Sequence, residues 1–429
     1  MTDMMINIRI PESVERILKT LMEHGYEAYA VGGCVRDAVL GRTPNDWDIT
    51  TSAKPEAVKR LFRKTIDTGI AHGTVTVMLD HTGYEVTTYR IDGEYEDGRH
   101  PKNVEFTGNL VEDLKRRDFT INAMAYNHIH GLVDAFDGIG DIRCRRIRCV
   151  GNPSDRFNED ALRILRAIRF AAGLDFEIED ETRKAVAILA GNLRKISKER
   201  IQAELEKLLM SAHPEKLIIA YETGVSKVVF PELDRIMALG NGNDIINLLS
   251  CMEKDHYLRW AALLCMSDRE KSARILKELR FDNKTVDMVS RLVEAAKKDI
   301  PLTLSGIRRD IYETGEDIYG HYILFMKYFA GCPVSGKRFS QNDIRIWEGY
   351  YREIIEKKQC ISMKMLQING RDLIELGVPR GGKIGEELNR LLYLVLDDPE
   401  LNERDKLINI FKNHHSYNNI SEEISGNNS

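Results

Sequence analysis

The period of the apolar positions changes near residue 151. Before it, short segments switch between alternating and helical patterns; after it, one helical period runs nearly to the end. Pro11 opens a helical segment that closes at Gly25, with proline at the start and glycine at the stop. "YEAYAV" reads as a strand, "CVRDAVL" before Gly41 as a short helix, and "DWDIT" as a strand. "KPEAVKRLFRK" predicts a helix with Pro55 near its first turn. "GTVTVML" and "YEVTTYRI" alternate and are rich in β-branched residues, and "DHTG" between them predicts a hairpin. These pieces make a small, mostly antiparallel sheet with helices packed on it.

From residue 151 onward "NEDALRILRAIRFAAG", "DETRKAVAILAGNL", "KERIQAELEKLLMSA", "NDIINLLSCM", "YLRWAALLCM" and "EKSARILKEL" carry helical periodicity with polar faces. The fold class expected is therefore α+β, an α/β head followed by a long all-α remainder. No repeat at a fixed period is evident, which weighs against a solenoid. The last fourteen residues, "SYNNISEEISGNNS", are polar and are expected to be disordered.

Composition narrows the picture modestly. A chain of 429 residues predicts about two to four domains. No apolar run reaches the ~18 residues of a membrane span, and the N-terminus lacks the pattern of a secretory signal. Seven scattered cysteines match no common zinc spacing and suit a reducing cytoplasm. The net charge of −5 argues against a uniformly basic surface. It leaves nucleic acid open, because local patches such as "RCRRIR" (residues 143–148) and "RKISKER" (residues 194–200) decide that affinity.

The chemistry begins at "YAVGGCVRDAVLGRTPNDWDITTSA". Residues i and i+2 of a strand share a face, so Asp46 and Asp48 project together while Trp47 and Ile49 turn to the core. Two carboxylates on one face repel unless a cation lies between them, and Mg²⁺ takes such oxygens along with waters and substrate phosphates. An Asp-x-Asp pair alone is a weak signal. Here Gly32 and Gly33 precede it, where backbone can approach a phosphate. Arg36 lies one helical turn further on, within reach of a triphosphate. Glu85 in "YEVTTYR" offers a third carboxylate on a neighbouring strand, although a solvated strand face explains it equally well. Together these form the set that two-metal nucleotidyl transfer requires.

In "NEDALRILRAIRF", Asp160, Arg163, Arg166 and Arg169 recur every three residues, which on one helix makes successive members neighbours. A salt-bridged amphipathic helix would also show this pattern. A carboxylate only accepts hydrogen bonds and a guanidinium only donates them. Asp160 with Arg163 would therefore match cytosine and adenine, each with an amine donor beside a ring-nitrogen acceptor. Uracil and guanine present the reverse. Glu159 would orient Arg163 from four residues away.

"VGGCVRDAVLGRTPNDWDITTSA", "EDLKRRDFTINAMAYN" and "NEDALRILRAIRFAAG" resemble, in order and spacing, the successive signatures of the class II tRNA nucleotidyltransferases. These are the bacterial CCA-adding enzymes of the poly(A) polymerase superfamily. "GVSKVVFPELD" and the segment from "INGRDLIELGVPRGG" resemble the family's body and tail more loosely. The resemblance implies a polymerase-β-like catalytic head at residues 1–150 and a nucleotide-selecting neck at 151–210. An elongated helical body at 211–345 and a tRNA-binding tail at 346–429 would follow. It implies Mg²⁺ at Asp46 and Asp48, with Glu85 assisting catalysis. Nucleotide contacts fall on Gly33, Arg36, Arg117, Asp160 and Arg163, with Arg166 and Arg169 in support. Asp118 either accepts from a sugar hydroxyl, holds an arginine or caps the next helix with Thr120. The implied partners are tRNA, gripped at its acceptor stem and elbow, and CTP and ATP; no membrane and no obligate protein partner are expected.

The charged segment 89–108, with Asp97, Arg99 and Pro101, reads as a mobile loop. In the family this loop serves A addition and CC-adding members lack it, so a full CCA-adding enzyme and an A-adding specialist both remain. Poly(A) polymerase fits less well, because the C-terminus is not basic. A non-catalytic RNA-binding protein fits least, given the three carboxylates. The His-Asp pair of the phosphohydrolase domain found in larger members is missing; Asp80 and Asp255 precede their histidines.

Overall fold

The computed structural model describes residues 7–93, 104–336 and 339–414. The expected disorder of residues 416–429 and the loop residues Asp97, Arg99 and Pro101 lie outside the described residues. The chain divides into two compact units, residues 1–250 with 278–280 and residues 251–277 with 281–429.

The first unit opens with α1 (Glu12–Glu23), β1 (Ala28–Val31), α2 (Gly33–Val39), β2 (Ile49–Thr51) and α3 (Pro55–Leu61). Next come β3 (Thr65–Gly69), β4 (Thr74–Leu79), β5 (Thr82–Thr88), β6 (Arg90–Asp92), β7 (Val104–Phe106) and α4 (Leu110–Lys115). The sheet region ends with β8 (Ala125–Asn127), β9 (Gly131–Val133), α5 (Gly138–Arg143) and β10 (Arg146–Ile147). Helices then dominate: α6 (Pro153–Glu159), α7 (Leu162–Leu174), the two-residue β11 (Glu177–Ile178), α8 (Asp180–Leu189) and α9 (Lys198–Leu209). Four shorter helices follow, α10 (Ile218–Glu222), α11 (Ser226–Val229), α12 (Pro231–Ala238) and α13 (Gly242–Cys251).

The helix predicted after Pro11 forms because Val14, Ile17, Leu18 and Leu21 make one apolar stripe, and all four are fully buried. Gly25, at φ +83°, donates its amide to the Met22 carbonyl and ends the helix. The predicted hairpin joins β4 and β5 through Asp80 and His81, both left-handed at φ 48° and 65°. That is the twist a two-residue turn needs to match its strands.

Seven strands pair in the order β3-β4-β5-β2-β1-β8-β9, all antiparallel except β2 with β5. Two strands differ from their predicted extents. "YEVTTYRI" breaks at Tyr89, whose side chain is fully buried in the core with Val31, Leu110 and Leu114. The Asp113 carboxylate draws in the Arg90 amide at 3.3 Å, and Arg90–Asp92 then pairs with β7 in a separate ribbon. In "DWDIT" the ladder starts only at Ile49, because the neighbouring β1 leaves the sheet at Gly32.

The second unit is helical among its described residues. It contains α14 (His256–Leu264), α15 (Arg269–Glu278), α16 (Asn283–Ala295), α17 (Leu304–Thr314), α18 (Glu316–Phe329), α19 (Gln341–Glu356), α20 (Gly370–Glu375) and α21 (Gly382–Asp397). A last helical stretch covers residues 404–414. Leu391, Leu392, Val395 and Leu396 of α21 pack with Leu373, Leu407 and Phe411 in one core. Arg308 is buried and donates to the carbonyls of Leu396 (2.6 Å) and Asp397 (2.8 Å) and to Gln359 Oε1 (2.9 Å). It thus satisfies carbonyls that the end of α21 leaves open. Arg308→Ala strands these acceptors in the interior, and we expect a loss of about 3 kcal/mol in urea unfolding of the full chain.

Candidate active site

The site is built where β1 ends. Gly32 has φ +83° and ψ −129°, and its amide donates to the Met124 carbonyl at 3.0 Å. A Cβ there would lie 2.8 Å from Arg117 Nη1, so both backbone and packing demand glycine. Gly33 then starts α2. Arg36, one turn in, donates through Nε to Asp37 Oδ1 (2.8 Å) and through Nη1 to Asn122 Oδ1 (2.6 Å).

The acidic pair behaves as expected although it precedes the ladder. Asp46 and Asp48 are exposed, whereas Trp47 and Ile49 are buried. The Val31 amide donates to the Asp48 carbonyl at 2.9 Å, tying this lead-in to the glycine turn. In the parallel pair, Ile49 lies opposite Val86. Asp48 and Glu85 each stand one residue earlier and so share a face, with Glu85 exposed.

The electrostatics bear this out. Desolvation by surrounding protein raises the Asp48 carboxyl; the Arg117 charge opposes this and Asp46 adds to it. Glu85 is also raised, by desolvation and then by Asp48 and Asp46. None of the three makes a side-chain hydrogen bond or ion pair with a described residue. Among the described residues no three His, Cys, Asp or Glu groups close around one point. Asp46, Asp48 and Glu85 therefore lie near one another without closing as a three-carboxylate ligand group. Carboxylate oxygens such as those of Asp46 and Asp48 are the donor type that suits a hard divalent cation.

Arg117 is packed against Gly32, and burial lowers its pKa while Asp113 opposes the change. Its Nε is buried without a hydrogen-bond partner. Asp118 accepts from Arg166 Nε and Nη2 at 2.8 and 2.6 Å, from the Phe119 amide at 2.8 Å and from Asn122 Nδ2 at 3.2 Å. Burial would raise this carboxyl, but Arg166, Arg163 and the hydrogen bonds hold it well below the usual range. Of its three expected roles, holding an arginine is the one realised here; no side-chain cap is made to the short helical turn at Thr120–Asn122.

The structure corrects the single helix expected for "NEDALRILRAIRF". It breaks after α6, and Asp160 lies in extended conformation between α6 and α7. Asp160 Oδ1 accepts from the Leu162 amide at 3.0 Å, capping the start of α7. Its Oδ2 accepts from Arg200 at 2.7 Å. Arg163 donates to Glu159 Oε2 at 2.6 Å, as its spacing predicts, and to the Arg116 carbonyl at 2.9 Å. Arg166 takes Asp118, and Arg169 Nε lies 2.7 Å from Glu204 Oε2 on α9.

Three family models match in succession: the poly(A) polymerase head domain at residues 28–148, the RNA- and SrmB-binding site of polymerase A at 175–237, and tRNA nucleotidyltransferase domain 2 at 253–410. The chain is 37% identical over 414 residues to the CCA-adding enzyme of Levilactobacillus brevis, covering 93% of this chain and 98% of that one. The chain belongs to the CCA-adding enzyme family. The Leuconostoc mesenteroides CCA-adding enzyme is 38% identical, over 91% of this chain and 93% of its own. The crystal structure of the Bacillus stearothermophilus CCA-adding enzyme in complex with CTP is 32% identical, with a TM-score of 0.78 over 96% of this chain and all of that one.

In this CCA-adding family member, sequence reasoning missed Asn122, Glu204, Asp113 and Phe170. Asn122 links Arg36 to Asp118. Asp113 is fully buried and binds Arg116 Nε and Nη2 at 2.9 and 2.8 Å and the Thr50 hydroxyl at 3.1 Å. Glu204 is buried on an otherwise amphipathic helix. A charged residue at an apolar position of the α9 period was the available signal for it. Asn122 and Phe170 fit unremarkable apolar or turn patterns and gave none.

Proposed function

We infer that this protein adds C, C and A to the 3′ end of tRNA, using CTP and ATP and no nucleic-acid template. The full-length match to CCA-adding enzymes at 37% identity carries this reading. Enzymes of this family depend on a divalent metal, which we read as Mg²⁺ held by Asp46 and Asp48. Asp46 and Asp48 would hold that ion, and the chemistry it would supply is a lowered pKa of the primer hydroxyl and an offset to charge on the triphosphate and the leaving pyrophosphate.

The chain's own residues do the rest. Glu85, raised in pKa beside the pair, positions or deprotonates the 3′-hydroxyl. Gly33, Arg36 and Arg117 steady the triphosphate. Asp160 accepts from the exocyclic amine of the incoming base while Arg163 donates to its ring nitrogen. Glu159 orients Arg163, Arg166 holds the helix against the head through Asp118, and Arg169 ties it to α9 through Glu204. We read residues 1–150 as catalytic head, 151–210 as neck, 211–345 as body and 346–429 as tRNA-binding tail. RNA of A-form geometry is gripped through shape and phosphates. Seven cysteines that form no disulfide with one another suit a cytoplasmic setting.

An extension assay tests the reading. tRNA ending before CCA, ending in C and ending in CC is offered with CTP, ATP or both. We expect extension of all three primers; extension of the last alone, with ATP only, would make the protein an A-adding specialist.

A further inference from the structure

Three guanidiniums converge on the ring of Phe170. Arg169 stacks on it with Cζ 3.8 Å from the ring centroid, and Arg36 and Arg166 lie at 5.2 and 5.3 Å. Phe119 meets the same ring edge-on at 5.6 Å and 78°. Phe170 is itself nearly buried, at 7% exposure.

Each cation has a carboxylate partner: Asp37 for Arg36, Asp118 for Arg166 and Glu204 for Arg169. These pairs balance charge, but only Asp118 and Glu204 hold arginines of α7. Arg36 belongs to α2, more than 130 residues earlier in the chain. What joins α2 to α7 is the Asn122 amide, bonded to Arg36 and to Asp118, and the Phe170 ring. The electron-rich face of an aromatic ring attracts a cation without neutralising it. The ring thus helps fix the Arg36 guanidinium in place, while Asp37 offsets part of its charge.

We propose that Phe170 is a positioning residue for nucleotide binding, its ring setting the Arg36 guanidinium against the base-reading helix α7. The proposal rests on the assignment of Arg36 to the triphosphate. The ring acts on the phosphate end of the nucleotide, so CTP and ATP are affected alike. Holding the anchor before substrate arrives lowers the ordering cost of binding.

Phe170→Leu keeps most of the volume and removes the aromatic face; Phe170→Tyr keeps the face. Leu165→Ala loosens the same helix at a buried side chain with no guanidinium on it. Inorganic tripolyphosphate serves as the probe, as a competitive inhibitor that lacks a base. For Phe170→Leu we expect the inhibition constant of tripolyphosphate and the KM of both CTP and ATP to rise roughly tenfold. kcat should stay within about twofold, and Phe170→Tyr should restore binding.

Equal weakening by Leu165→Ala at matched thermal stability would reduce Phe170 to a packing residue and overturn the proposal. Weakening by Arg36→Met but not by Phe170→Leu would overturn it too, while leaving Arg36 at the triphosphate. Should Arg36→Met leave tripolyphosphate inhibition unchanged, the assignment of Arg36 itself fails and the proposal falls with it.

Discussion

Asp46→Ala combined with Asp48→Ala is expected to abolish incorporation of labelled CTP into tRNA, by at least ~10³-fold, and to leave tRNA affinity nearly unchanged. The magnitude follows from metal-assisted activation of the hydroxyl and charge neutralisation at the triphosphate. Several kcal/mol of transition-state stabilisation are at stake, at about 1.4 kcal/mol per factor of ten. The fold should tolerate both changes. The two carboxylates are exposed and have no side-chain hydrogen bond to a described residue. Desolvation and then Asp46 raise the Asp48 carboxyl against the pull of Arg117, so the double variant should melt close to the parent. Filter-binding of tRNA, a thermal melt and a radiolabel assay check the three parts. Surviving incorporation in a stable, tRNA-binding variant would remove the two aspartates from the metal site.

The second large effect concerns the choice of base. Asp160→Ala or Arg163→Ala should lower discrimination of CTP and ATP against UTP and GTP by about 10²-fold in kcat/KM. Each position supplies one or two hydrogen bonds of fixed polarity, and a mismatched base leaves them unpaired in a partly buried site. Both variants also disturb the fold. Asp160→Ala loses the cap on α7 and the Arg200 pair, and Arg163→Ala loses Glu159 and the Arg116 carbonyl. For that reason the ratio between nucleotides measured on one preparation is the informative quantity, since a destabilised fraction cancels from it. An unchanged ratio with reduced total activity would make the two residues structural and end the case for a protein template.

The break at Asp160 sharpens this prediction. On one continuous helix, Asp160 and Arg163 would be fixed relative to each other by helical geometry alone. Instead each is fixed from outside, Asp160 by Arg200 of α9 and Arg163 by Glu159 of α6. Asp160 and Arg163, the two groups proposed to read the base, are thus set by three helices, and Arg200 becomes part of the arrangement. Spacing at every third residue could not distinguish these cases, because Asp160 is the first of the series and Arg163, Arg166 and Arg169 all lie on α7 whether or not the helix continues before them.

Elements whose stability comes from their own neighbours were legible without coordinates. The stripe of α1, the β4–β5 hairpin and the alternation of Asp46, Trp47, Asp48 and Ile49 each depend on which side chains a short segment can bury. The period of apolar residues records that directly. The ordered glycine, acidic and arginine motifs likewise pointed to the family, because nucleotidyl transfer needs those chemical types in one chain. The partners of the arginines were decided only in three dimensions. Asp118 with Arg166, Asn122 with Arg36, Glu204 with Arg169 and the ring of Phe170 between α2 and α7 join residues 35 to more than 130 positions apart. Such contacts leave no period in the sequence: a charge or an aromatic ring looks the same locally whatever it meets. Packing of the helices onto the sheet chooses the partner, and the cost of a buried unpaired charge then holds it there.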